Sequence, residues 1–190
     1  MEAFIEAHEP VIRLACFGGV LALMALWELL APRRPLAQSK IVRWSSNLGI
    51  VVVNTVVVRL LFPAAAMGVE VLAAERGWGL LNTVELTSGV AIVVSVVALD
   101  FAIYLQHVMF HAIPALWRLH RMHHADLDFD VTTGLRFHPI EIILSVLIKM
   151  AAIVVLGPPV VAVLIFEVTL NATSMFNHGN VRLPGAIDRP

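Results

Sequence analysis

Long apolar runs alternate along this chain with short polar breaks. Residues 11–30 make the first run, closed by Pro32-Arg33-Arg34-Pro35. A second covers about 48–62 and reaches spanning length only by borrowing from 41–47; Pro63 ends it. Residues 64–88 are mixed. Their first part is apolar enough to lie in the interface or dip into a membrane, but Glu70, Glu75, Arg76 and Glu85 argue against a full span, and Trp78 suits an interface. A third run, 89–111, stops before Pro114, and the stretch 115–138 is the most polar of the chain. The last two runs, 140–156 and 160–176, flank Gly157-Pro158-Pro159 and read as a helical hairpin. A membrane-spanning helix needs about 20 mostly apolar residues. The pattern therefore predicts an all-α integral membrane protein with about four to five transmembrane helices. It divides into membrane helices and a linker over 1–88 and a histidine-rich membrane domain over 89–190.

Composition strengthens the membrane reading. The chain is 59% hydrophobic and 14% charged, against about 45–50% and about 25% in soluble domains. The net charge of −1 says nothing about nucleic acid, but no Lys/Arg run is long enough to follow a phosphate backbone, so no nucleic-acid partner is expected. One cysteine, Cys16, permits no intrachain disulfide. Glu2, Glu6 and Glu9 give the N-terminus the wrong charge for a signal peptide. Between the first two runs, Arg33, Arg34, Lys40 and Arg43 mark the cytoplasmic side. Counting spans from there places the seven histidines from His107 onward on that same face.

Those histidines carry the chemistry. Six of the chain's eight lie in 100–138, and His178 follows the fifth run; His8 reads as an N-terminal loop residue outside the site. A helix turns about 100° per residue. His107 and His111, four apart, share a face, and His120, His123 and His124 converge on one side of a turn. His138, before Pro139, and His178 are further candidate ligands. Asp100 and Tyr104 fall on the His107 face. An aspartate inside a span usually faces the protein interior and can accept the N–H of a ligating imidazole; an interhelical polar clamp is the alternative. Imidazole suits zinc, copper, iron and nickel. Four ligands saturate one zinc, so seven histidines on one face suggest two ions. Val108 follows His107, which removes the H-E-x-x-H reading. Clustering at the membrane edge, rather than pairing within facing spans, makes a bis-histidine haem the lesser reading.

One more pair lies deeper. Lys149 and Glu167 are each nine residues from Pro158, which at about 1.5 Å per residue puts both roughly 13 Å from the turn. An antiparallel hairpin brings them to the same depth, where they can pair; the alternatives are a snorkelling Lys149 with a protonated Glu167, or a Glu167 that joins a polar track with Asn171 and His178 on its own helical face.

Four segments together resemble the fatty acid hydroxylase/sterol desaturase superfamily of integral membrane enzymes. They are H-x-x-x-H (His107, His111), H-x-x-H-H (His120, His123, His124), F-H-P-I-E around His138 and F-N-H-G-N-V-R-L-P around His178. The resemblance covers about 96–184. It implies two iron ions held by these histidines on the cytoplasmic side, with O2 as co-substrate. It also implies hydroxylation or desaturation of a lipid C–H bond, with electrons from a cytochrome b5- or ferredoxin-like carrier. The family has a further H-x-x-H-H box shortly after the segment matching His178. This chain reaches Pro190 without one, so the expectation is an incomplete ligand set, weak metal affinity and no turnover by these 190 residues. The other readings are a metal- or haem-binding electron-transfer protein of the membrane and a truncated, non-catalytic family member.

Overall fold

The computed structural model describes residues 2–62 and 68–186. Its helices are α1 (Glu2–Leu30), α2 (Lys40–Leu61), α3 (Val69–Glu75), α4 (Ser88–Ala112), α5 (Pro114–His124), α6 (Pro139–Leu156) and α7 (Val160–Asn177). Five of them, α1 from His8 onward, α2, α4, α6 and α7, are long and apolar enough to cross a membrane. Among the described residues, extended segments meet only at the antiparallel bridge between Pro32 and Val181. The protein is an all-α integral membrane protein, with five such helices among the described residues. Leu14, Leu30 and Leu60 are each about 70% exposed or more. Such surface suits contact with lipid tails, and in a helix every backbone polar group is already satisfied.

Two boundaries differ from the sequence reading. α2 takes in the whole of 41–47, because Arg43 and Asn47 there turn toward protein rather than lipid. His8 is not in a loop: α1 begins at Glu2 and carries it on an exposed face. Pro63 and residues 64–67 lie outside the described residues. Of the rest of 64–88, α3 and a 3₁₀ turn at Leu80–Thr83 are too short to span.

α7 is the central helix. α1 and α4 pack along it, α6 packs against α4, and α2 packs against α6. Leu99, Ile153, Val163 and Phe166 form the core between α4, α6 and α7. Gly157 caps α6 at φ 68° and lies against Gly79 at φ 101°. A Cβ on Gly79 would come within 2.2 Å of the Gly157 nitrogen, so both the positive φ and the close approach require glycine. At the other end, Met24, Val131, Leu135, Met175 and Val181 make a second core. There the end of α1, the start of α2, the end of α4, α5, the start of α6 and the end of α7 all meet. The histidines after His8 gather at this end.

Inside the bundle, Lys149 on α6 bonds Glu167 on α7, the pairing that their equal depth in the hairpin allows. The other oxygen of Glu167 meets Arg13 of α1, whose Nε donates to Glu9 Oε1 at 2.9 Å. Four charges of net zero thus join three helices. An unpaired charge at mid-membrane costs about 2.5–3.5 kcal/mol on insertion scales. Lys149→Glu and Glu167→Lys are each expected to lower the folded yield in membranes. The double swap should restore only part, because position 167 would then face Arg13 with the wrong sign. A double variant whose loss equals the sum of the single losses would show that the two residues do not interact.

Candidate metal centre

α4 and α5 build one half of the site. Ile113 ends α4 and Pro114 opens α5, so the chain turns sharply and lays α5 against the last turns of α4. A proline at the first helical position has its φ already set for the helix. The turn brings the two boxes together. The ring of His120 lies 4.8 Å from both His107 and His111, and 5.0 Å from His124, centroid to centroid. One ligating atom from each of His107, His111 and His120 falls within 4.8 Å of the others. Trp117 covers His111 and His124 at 5.2 and 5.5 Å.

α7 builds the other half. His178, at its C-terminal cap, brings Nε2 to 3.0 Å from Nε2 of His123. His124 sits between the halves, its ring 5.0 Å from His111 and 5.1 Å from His123. The six imidazoles therefore form one cluster, in which the ligating atoms of His107, His111 and His120 converge and which His178 joins from the fifth spanning helix.

Three of these rings have their tautomer fixed from outside. His120 Nδ1 donates to Glu141 Oε1 at 2.6 Å. His123 Nδ1 donates to the Arg136 carbonyl at 3.3 Å, and His178 Nδ1 to the Ser174 carbonyl at 2.7 Å. A carbonyl or carboxylate only accepts, so the proton sits on Nδ1 and the lone pair on Nε2. Yet the Nε2 atoms face one another. They approach to 3.0 Å between His123 and His178 and to 3.3 Å between His120 and His124; His107 and His111 approach to 3.1 Å. Between His123 and His178, where both protons sit on Nδ1, two lone pairs face each other, which is repulsive unless a cation lies between them. Metal–nitrogen bonds of about 2.0–2.1 Å place neighbouring ligand nitrogens roughly 2.9–3.4 Å apart. The observed spacing fits a coordination shell, and for His107–His111 and His120–His124 it also fits an N–H···N hydrogen bond. It also leaves no room for a porphyrin plane between paired nitrogens.

Burial supports the neutral, ligating form. It pushes His123 down to about 3, with His178 and His120 adding to the effect. His124 is lowered by burial and by its neighbours His120 and His111. Glu141, on the first turn of α6, is 3% exposed, and its Oε2 has no hydrogen-bond partner among the described residues. An orphaned carboxylate oxygen behind a ligating ring fits a site designed around positive charge.

The remaining candidates lie elsewhere. His138 caps α6, its Nδ1 accepting from the Ile140 N–H at 3.1 Å, and no ring contact joins it to another histidine among the described residues. Asp100 and Tyr104 are exposed on α4. Tyr104 stacks on Phe101, and no hydrogen bond ties either residue to an imidazole among the described residues. The carboxylate that orients an imidazole is Glu141, which the sequence reading did not single out. Its only signal was its place in F-H-P-I-E.

A polar scaffold, also unread from sequence, holds the site. Arg43 does not advertise positive charge to the cytoplasm; it is buried within the acidic run 126–130. Its Nε donates to Asp126 Oδ1 at 3.1 Å and its Nη1 to Asp130 Oδ2 at 2.6 Å. Its Nη2 reaches Asp126 Oδ2 at 2.8 Å and the Asp128 carbonyl at 2.9 Å. Burial alone would raise the Asp126 carboxyl, but the Arg43 and Thr133 hydrogen bonds outweigh it and hold that carboxyl below its ordinary range. Glu28 Oε1 accepts from the N–H groups of Val131 and Asn180 at 2.6 and 2.9 Å, tying the loop and the segment after His178 to α1. Gly134 lies so close to α7 that a Cβ would stand 2.6 Å from the Ser174 carbonyl oxygen.

The sequence model of the family described as Fatty acid hydroxylase matches residues 92–188, half of the chain. The match takes in both histidine boxes, Glu141 and His178. No curated protein and no solved structure matches the chain.

Proposed function

The chain belongs to the fatty acid hydroxylase family, and from that premise we propose a membrane-bound non-haem di-iron oxidoreductase that hydroxylates or desaturates a lipid C–H bond with O2. The family itself indicates a membrane lipid hydroxylase- or desaturase-type oxidoreductase that binds iron. The two-ion reading is supported by six clustered imidazoles, more than one ion needs, whose Nε2 atoms approach in pairs at 3.0–3.3 Å. His107, His111 and His120 would hold one ion, His123 and His178 the other, with His124 between them. Bound iron supplies the activation of O2 and the removal of hydrogen from carbon. The chain's own residues do the rest. Glu141, the Arg136 carbonyl and the Ser174 carbonyl keep protons on Nδ1, so that Nε2 stays free to ligate.

Lipid access has a structural basis as well. His107 and His111 are exposed, on the same face of α4 as Tyr104, Asp100 and Val97. A lipid chain lying along that face would reach the site without leaving the bilayer. The basic residues beside the first two spans favour a cytoplasmic position for the histidine end. There a cytochrome b5- or ferredoxin-like carrier would deliver electrons.

The test is iron analysis and an optical spectrum of protein purified from iron-supplied cells. We expect non-haem iron bound at the histidine cluster, approaching about two atoms per chain at saturating iron, without haem absorption. A haem Soret band, or protein that takes up no iron, would overturn the proposal.

A further inference from the structure

α2 lies wholly outside residues 92–188, and its apolar length alone would make it a membrane anchor. Its buried amides indicate a second role. Asn47 is 0% and Asn54 7% exposed, and their spacing of seven residues, about two turns, sets them on one side of the helix. A buried polar group is costly unless its hydrogen bonds are made. Asn47 Oδ1 accepts from Arg136 Nη1 at 3.0 Å, and Asn54 Nδ2 donates to the Phe137 carbonyl at 2.9 Å. The two asparagines thus hold consecutive residues of the turn that leads into α6.

Those two residues hold His123. The Arg136 carbonyl accepts its Nδ1–H at 3.3 Å. The Phe137 ring lies on the imidazole with an interplanar angle of 4° and centroids 4.7 Å apart. Arg136 Nε also donates to the carbonyl of Met122, the residue before His123, at 3.0 Å. A ring gripped at one nitrogen and on one face has its remaining nitrogen aimed, here at Nε2 of His178. We propose that Asn47 and Asn54 are positioning residues for His123, so that α2 forms part of the metal centre. Neither touches an imidazole; both act through residues 136 and 137. Asn47 is itself set by Thr132 Oγ1, to which its Nδ2 donates at 2.9 Å.

The inference rests on the reading that His123 and His178 hold a metal ion, and the test separates the two. The whole protein, in lipid nanodiscs, is titrated with cobalt(II) and followed by absorption and metal analysis. Asn47→Leu and Asn54→Leu are compared singly and together, with His123→Ala as reference. The ion held by His123 and His178 should bind about 10–100-fold more weakly in the asparagine variants, the usual loss when a partner behind a ligand is removed. The ion at His107, His111 and His120 should keep its affinity. Asn54→Gln, which keeps an amide donor on a longer arm, should recover part of the loss. Wild-type affinity for both ions in the double variant would overturn the proposal. So would a parallel weakening of both ions together with a lower melting temperature of the metal-free protein, since that is what a merely structural role predicts. A wild-type protein that takes up no cobalt, or a His123→Ala variant that binds it unchanged, would instead overturn the metal reading.

Discussion

His120→Ala is expected to abolish stable metal binding, with a larger loss than any other single histidine substitution. His120 is fully buried, and its ring lies within 5.4 Å of His107, His111, His123 and His124. Like His124 it touches both halves of the site, but unlike the exposed His124 it does so from the interior. Its loss removes a ligand and also leaves the buried Glu141 carboxylate without its partner. Glu141→Gln separates these two effects. The glutamine retains an acceptor for Nδ1–H but not the charge that raises the basicity of the ring, so a loss of about 10–100-fold in metal affinity is expected. The alanine variant should exceed that range. Iron content and cobalt titration of the folded fraction measure both. Equal, small losses for the two variants would show that His120 packs the site without ligating.

The elements of this site were unequally legible. Spanning helices are readable one at a time, because a lipid environment excludes runs of charge and each run is closed by proline or by polar residues. The histidine boxes were readable for the same local reason: spacings of three and four fix a shared helical face. The Lys149–Glu167 pair needed only a count from the turn between two antiparallel helices. Glu141, Arg43, Asn47 and Asn54 were different. Their partners lie 21 to 90 residues away, and nothing in the local pattern says which face of α2 meets which loop. Arg43 followed three other basic residues and so read with them as a membrane-edge cluster. Asp126, Asp128 and Asp130 lie in the most polar stretch of the chain with no local sign of a partner, yet the carboxylates of Asp126 and Asp130 and the carbonyl of Asp128 close around that one guanidinium. His138 and Asp100 show the converse. A histidine before a proline can cap a helix as well as bind a metal, and a shared helical face does not by itself bring a carboxylate to an imidazole.

Arg43→Met should destabilise the protein by about 3–5 kcal/mol, the usual cost of removing one partner from a buried ion pair. The guanidinium is 6% exposed and meets two carboxylates, the Asp128 carbonyl and, at 3.2 Å, Thr133 Oγ1. Methionine fills much of the same volume but leaves Asp126 and Asp130 facing each other without a cation. Arg43→Lys should recover only part of the stability, because an ammonium cannot form the planar fork that reaches both carboxylates at once. The pH dependence tells pairing from packing. The lowered folded value of Asp126 means that its contribution is present above the ordinary carboxylate range. It is lost as pH falls through the lower folded value, where the carboxylate finally takes up a proton. In the variant, the same carboxyl is buried without its cation, so its folded value rises and protonation relieves it. The stability gap between wild type and variant should therefore be widest near neutral pH and narrow as pH falls through the carboxylate range. Denaturant or thermal unfolding of the metal-free proteins at neutral and acidic pH would read that gap. A gap that stays constant with pH would mean that Arg43 contributes by filling space, and that the acidic loop is held over the metal centre by something other than charge.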